Sequence, residues 1–114
     1  MKFNIQSRTG VQILELEGRF DAFETPQVKA WIEAHVGVNA NRLVINLRGV
    51  NFIDSVGLAA LVSGMKRCRG TRGDLYLCCL SQSAQTIFAL TRLDQAFHIF
   101  ESDTDAVAAF RPSA

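Results

Sequence analysis

The sequence predicts an α/β domain with a mixed, mostly parallel sheet of about four to five strands and about four helices. Three observations predict it. Two alternating segments at the start are joined by a tight turn at Thr9-Gly10 and read as a hairpin. After them, strand and helix patterns alternate, which implies parallel pairing through right-handed helical crossovers. Between the first two helices, Leu43, Val44, Ile45 and Leu47 form the short apolar run of a strand covered on both faces.

The elements follow in order. Lys2 to Arg8 alternates weakly, and Val11 to Glu17 alternates more clearly, with Val11 and Ile13 facing one way and Gln12, Leu14 and Leu16 the other. Gly18 is expected to end that strand. Thr25-Pro26 reads as a helix start, a hydroxyl cap followed by proline. Val28, Trp31, Ile32, His35 and Val36 recur at helical spacing, and Gly37 reads as the stop. A strand over Arg42 to Leu47 precedes a helix from near Ser55 to about Cys68. Gly70 and Gly73 bracket a turn before a strand over Asp74 to Leu80. A helix over Ser83 to Thr91, a short strand over Phe97 to Phe100 and a helix over Asp103 to Phe110 complete the chain.

Composition narrows the function. The 114 residues suit one domain, 1–114, with its core at about 11–110, and 48% hydrophobic content is enough for a packed interior. Twelve basic against eleven acidic residues, net charge +1, provide no global field for nucleic acid. No apolar run approaches the ~20 residues of a membrane span. Met1 to Gly10 lacks the basic-then-apolar pattern of a signal peptide. Three cysteines, two of them adjacent at Cys78-Cys79, do not form a disulfide framework. A cytoplasmic domain without direct nucleic-acid contact or membrane insertion is expected.

The most informative stretch runs from Asn51 to Leu58, Asn-Phe-Ile-Asp-Ser-Val-Gly-Leu. It leaves a buried strand and enters a helix. Leu58, Leu61, Val62, Met65 and Cys68 mark the core face of that helix. The other face reads Val56, Ala60, Ser63, Gly64 and Arg67, small or apolar where a solvated helix would show Glu and Lys. Gly64 costs about 1 kcal/mol against Ala in a helix interior. Close approach of a partner's backbone and cover by a neighbouring element of the same domain both account for it. Ser55 stands where an N-cap is expected. It either caps the helix or accepts a phosphoryl group, whose roughly −1.5 to −2 charges a helix N-terminus tolerates.

Other chemistries find less support. Ser55 lacks the Gly-x-Ser-x-Gly elbow, since residue 53 is Ile and Gly57 lies two residues on. A nucleophilic serine needs an oriented base. His35 lies on or beside an apolar helix face, and His98 alternates with Phe97 and Ile99, so no catalytic residues are assigned. Cys78 and Cys79 would point to opposite faces of a strand, and no Cys/His cluster with metal-ligand spacing occurs. Neither metal nor cofactor is expected. Lys66, Arg67, Arg69 and Arg72 suit a helix C-terminus and equally an acidic partner surface.

Phe52-Ile53-Asp54-Ser55-Val56-Gly57-Leu58 resembles the aromatic-x-Asp-Ser-x-Gly-Leu signature of STAS domains, specifically the bacterial anti-sigma factor antagonists. Gly18-Arg19-Phe20-Asp21 is similar to the family's Gly-x-hydrophobic-Asp turn. Leu43 to Leu47 occupies the usual buried strand, and Phe88, Leu93, Phe97 and Phe100 match its C-terminal apolar pattern. The resemblance spans about Val11 to Phe110. It departs at Val56, where the family often has Ser or Thr, at Thr25, one position later than in some members, and at Arg92, where many carry Gly.

The resemblance implies a non-enzymatic switch in transcription regulation. The unphosphorylated protein binds an anti-sigma factor that is also a serine kinase and so frees the sigma factor. The kinase, using its own ATP and magnesium, phosphorylates Ser55 and the complex separates. A serine phosphatase resets the switch. Asp21, Asp54, Ser55, Val56, Gly57, Ala60 and Gly64 are the implied partner-binding residues. Asp21 and Asp54 shape the surface that the kinase reads. The first strand, the Ser55 helix and their loops form the docking face. The alternative is a STAS subunit acting as a constitutive scaffold or regulatory component of a membrane transport system, with Ser55 only a cap.

Overall fold

In a computed structural model, which describes residues 1–36 and 41–110, five strands form one sheet in the order β1-β2-β3-β4-β5. β1 (Lys2–Arg8) pairs antiparallel with β2 (Val11–Phe20), and Thr9 and Gly10 take positive φ in the turn between them. β3 (Arg42–Ile53), β4 (Asp74–Cys78) and β5 (Ile99–Phe100) follow in parallel.

The crossovers are α1 (Thr25–His35), α2 (Ser55–Gly70) and α3 (Gln82–Leu90), the last followed by a 3-10 turn at Leu93–Gln95. Each strand is added on the same side of the last, so right-handed connections put all three helices on one face. There Leu14, Leu16, Leu43, Ile45, Leu47, Leu75 and Leu77 of the sheet meet Val28, Trp31 and Ile32 of α1, Leu61, Met65 and Cys68 of α2, and Phe88 of α3. α4 (Asp103–Ala109) returns to the opposite face, where Ala106 covers Val11, Ile13, Val44 and Cys78. Arg8 fastens α4 to β1 through an ion pair with Asp103 at 2.9 Å.

Several boundaries differ from expectation for local reasons. β2 does not stop at Gly18. It continues to Phe20, with Gly18 at φ +115°, a conformation an L side chain rarely adopts. β3 runs six residues past Leu47 to Ile53, carrying two irregularities against β2. At the first, the Arg48 N–H that leaves the ladder is taken by Asn46 Oδ1 at 2.9 Å. Such bulges re-aim a strand end, and this one delivers Phe52, Ile53 and Asp54 to the start of α2. β4 ends at Cys78 because Cys79 turns to φ 62°. β5 shrinks to two residues, with Phe97 still buried, against Phe88 at 5.8 Å between ring centroids. α3 and α4 begin after Ser81 and Ser102, whose hydroxyls accept from Ala84 N–H and Asp105 N–H. Gly37, expected to stop α1, lies outside the described residues.

Candidate functional site

The site forms where β2 and β3 end side by side. Asp54 N–H donates to Phe20 O at 3.2 Å, tying the two strand ends together. Asp54 is extended and caps α2: its Oδ1 accepts from Gly57 N–H at 2.9 Å. The capping residue is therefore Asp54, and Ser55 is the first residue of the helix. The backbone requires this offset because the capping residue keeps extended dihedrals. Ser55 is exposed, and among the described residues its hydroxyl makes no hydrogen bond within the chain.

The other Asp54 oxygen reaches the β2–α1 loop, where Oδ2 accepts from Ala22 N–H at 3.0 Å. Asp21 organises the rest of that loop. Its Oδ1 accepts from Phe23 N–H at 3.1 Å and Glu24 N–H at 3.2 Å, and its carbonyl accepts from Thr25 N–H at 2.9 Å and the Thr25 hydroxyl at 2.8 Å. Thr25 was expected as the cap of α1. It is instead the first helical residue and donates its hydroxyl. The cap position falls on Glu24, which makes no side-chain cap bond, and Asp21 supplies the oxygens that hold the turn.

Gly57 explains why a glycine follows Ser55 at this spacing. A Cβ there would lie 2.8 Å from Phe20 O and 3.1 Å from Phe20 Cδ1. The helix can start against the end of β2 only without a side chain at this position.

Asp21, Asp54, Ser55, Val56 and Gly57 thus meet at one end of the sheet. Ala60 and Gly64, expected on a partner-facing surface, do not join them. Ala60 is 7% exposed, and a Cβ on Gly64 would stand 3.0 Å from Ile32 Cδ1 of α1 and 3.2 Å from Leu75 Cδ1 of β4. The small residues let α1 and the sheet approach α2, and Gly57 is buried likewise. Leu58 and Val62, expected in the core, are only half-buried at its edge, because the inward stripe of α2 is rotated toward Gly57, Ala60, Leu61 and Gly64.

Phe52 and Val56 fall within the segment the sequence singled out, whereas Phe23 and Arg19 were not marked as site residues. Phe23 is 90% exposed, and Phe52 and Val56 are 39% and 45% exposed. Arg19 places its guanidinium 4.0 Å from the Phe52 ring centroid and contacts Asp21 Oδ2 at 3.7 Å. The one available signal for Phe23 is its place two residues after Asp21. Its exposure depends on the loop geometry.

The remaining candidates fall elsewhere. Arg67 pairs with Glu33 at 3.4 Å, and Arg69 with Asp74 at 3.0 Å and with Ala96 O at 2.9 Å, so half of the basic run is engaged within the domain. His35 Nδ1 lies 2.8 Å from Trp31 O, and His98 packs edge-on to Tyr76 at 5.3 Å. The two adjacent cysteines do not oppose each other across the sheet. With Cys79 at φ 62° just beyond β4, both border the α4-side core. Burial pushes the Cys68 thiol up to about 11 and, with the adjoining Cys79 thiol, raises Cys78 as well. Among the described residues no group of three His, Cys, Asp or Glu side chains could hold a metal ion, and no helix is long and apolar enough to cross a membrane.

An exposed serine at the start of α2, directly after the aspartate that caps it, thus stands where β2 and β3 end. The sequence pattern of the STAS domain matches residues 2–106, and the chain belongs to that family. Its relatives carry anti-sigma factor antagonist names. BtrV of Bordetella bronchiseptica is 28% identical over 111 residues, covering 97% of this chain and 96% of its own. The anti-sigma-B factor antagonist of Staphylococcus aureus is 24% identical over 103 residues, covering 89% of this chain and 95% of its own. The fold is that of the anti-sigma factor antagonist SpoIIAA, named as a Bacillus cell fate determinant. Its unphosphorylated form superposes with a TM-score of 0.83 at 19% identity, over 99% of both chains. Its phosphorylated form gives 0.73 at 18% identity, over 96% of this chain and 100% of that one.

Proposed function

We propose that this protein is an anti-sigma factor antagonist that works as a partner switch on Ser55. Unmodified, it binds an anti-sigma factor that is also a serine kinase. Transfer of the ATP γ-phosphoryl group to Ser55 Oγ, with loss of the hydroxyl proton and departure of ADP, separates the complex, and a serine phosphatase hydrolyses the phosphoester with water to restore the hydroxyl and release inorganic phosphate.

One observation carries this reading: the capping of α2 is done by Asp54, which leaves the Ser55 hydroxyl exposed and unbonded within the chain. A serine that capped the helix would be unavailable without unravelling its first turn. At the first helical residue an added phosphate faces orphan backbone N–H groups and the positive end of the helix dipole, so the fold tolerates it. The names of the relatives and the two phosphorylation forms of SpoIIAA support the same reading.

Incubation with the serine-kinase anti-sigma factor of the same genome and ATP is expected to add one phosphate by intact mass, and Ser55→Ala is expected to abolish it. Phosphate on another residue, or none on the wild type, overturns the reading. So does native protein that never carries the modification, which would suit a constitutive scaffold instead.

A further inference from the structure

We propose that the anti-sigma factor seats Phe23 in an apolar pocket edged by a carboxylate, with Phe52 and Val56 completing the contact and Arg19 facing that carboxylate. The inference rests on the partner-switch reading and specifies what the partner must look like.

Five large hydrophobic side chains are exposed among the described residues: Ile5, Phe23, Phe52, Val56 and Leu90. Three of them lie on the segments that meet at Ser55. Val56 follows it directly. Phe52 lies three residues before it and pairs in register with Arg19. Phe23 follows Ala22, whose N–H is bonded to Asp54, the neighbour of Ser55. Scattered exposed hydrophobics need no explanation, whereas a cluster at one site marks a surface that something covers.

Phe23 is also held in place. The hydrogen bonds from Phe23 N–H and Glu24 N–H to Asp21 Oδ1 fix the backbone on both sides of its Cα, and Ala22 N–H, bonded to Asp54, holds the residue before it. Little loop entropy remains to be lost when the ring is covered, the condition under which an aromatic side chain dominates an interface.

The charges select the partner's chemistry. Asp21 and Asp54 already accept two backbone N–H groups each. Arg19 is 61% exposed and makes one long ion pair, so most of its five donors face outward. The outward character of the site is apolar with one cation. An apolar pocket edged by a carboxylate complements it. The same pocket rejects the phosphorylated protein, since a phosphate beside Val56 would be desolvated against apolar groups and repelled by the carboxylate.

Calorimetry with the serine-kinase anti-sigma factor of the same genome, without ATP, tests this. Phe23→Ala is expected to weaken binding at least about tenfold and Arg19→Glu at least about threefold, with thermal unfolding of both variants unchanged. A smaller loss for Phe23→Ala overturns the anchor, and a smaller loss for Arg19→Glu overturns the carboxylate. If the wild type itself shows no binding, the partner-switch reading fails. If the wild type binds and both variants match it, that reading stands and this inference falls.

Discussion

Ala22 N–H donates to Asp54 Oδ2 at 3.0 Å, joining residues 32 positions apart. Because the other Asp54 oxygen caps α2, one carboxylate fixes both the helix that carries Ser55 and the loop that carries Phe23. The aspartate before the serine therefore works as a structural clasp, and the serine is left free.

This division of labour predicts opposite consequences for neighbouring substitutions. Asp54→Ala loses a cap and leaves Ala22 N–H without its partner, at a cost of about 1–2 kcal/mol. Ser55→Ala is expected to stay within about 0.5 kcal/mol of the wild type. Urea unfolding measures both. The reverse ranking would return the capping role to Ser55.

Gly57 and Gly64 of α2 differ in what presses on them. Gly57→Ala drives a methyl into the Phe20 carbonyl, a backbone atom that cannot rotate away, and is expected to lose about 1–3 kcal/mol despite alanine's better helix propensity. Gly64→Ala meets only the Ile32 and Leu75 side-chain ends at 3.0–3.2 Å, so propensity offsets most of the crowding. A larger drop in Tm for Gly57→Ala than for Gly64→Ala is the expected result. Equal Tm values would mean that the Phe20 contact relaxes freely.

Arg92 sits in the left-handed region at φ 59°. That conformation costs a side-chain-bearing residue roughly 1–2 kcal/mol, and glycine avoids it while losing more chain entropy on folding. Arg92→Gly is expected to stabilise the fold by about 0.5 kcal/mol in chemical unfolding. A destabilised variant would show that the Arg92 side chain contributes more than its backbone costs.

Burial alone would raise the Asp103 carboxyl. The hydrogen bond and charge of Arg8 outweigh it, and the carboxyl lies below its ordinary value. A carboxyl lowered in the folded state stabilises fully above its unfolded pKa, about 3.9, and loses that contribution as pH falls through the folded value. Asp103→Asn is therefore expected to cost up to about 1 kcal/mol at neutral pH, a cost that shrinks as the pH falls below the unfolded value. A difference from the wild type that did not shrink on acidification would remove the ion pair as its cause.

Thiol reactivity follows burial. Cys68 and Cys78 are fully buried with raised pKa values, and Cys79 is only half-buried. A thiol-disulfide reagent is expected to label one cysteine in the native protein and all three after unfolding. Rapid native labelling of Cys68 would show that the α2 core opens.

The amino-acid order by itself determined the architecture. A period-two hairpin, apolar runs short enough for buried strands and helices starting at Thr25, Ser55 and Asp103 are local properties, and local sterics and burial fix them. It also singled out Asp54, Ser55 and Gly57, because a cap, a hydroxyl and a missing side chain leave marks at fixed spacing. Tertiary structure alone decided the rest. Asp54 rather than Ser55 became the cap because the two β3 irregularities and the Phe20 carbonyl set where α2 begins. Gly64 turned inward because Ile32 of α1 and Leu75 of β4 pack against it, contacts between segments that no periodicity encodes, and Ala60 is buried on the same stripe of α2. Phe23 stayed outside because Asp21 and Asp54 hold its loop, through bonds that exist only once β2 and β3 lie side by side.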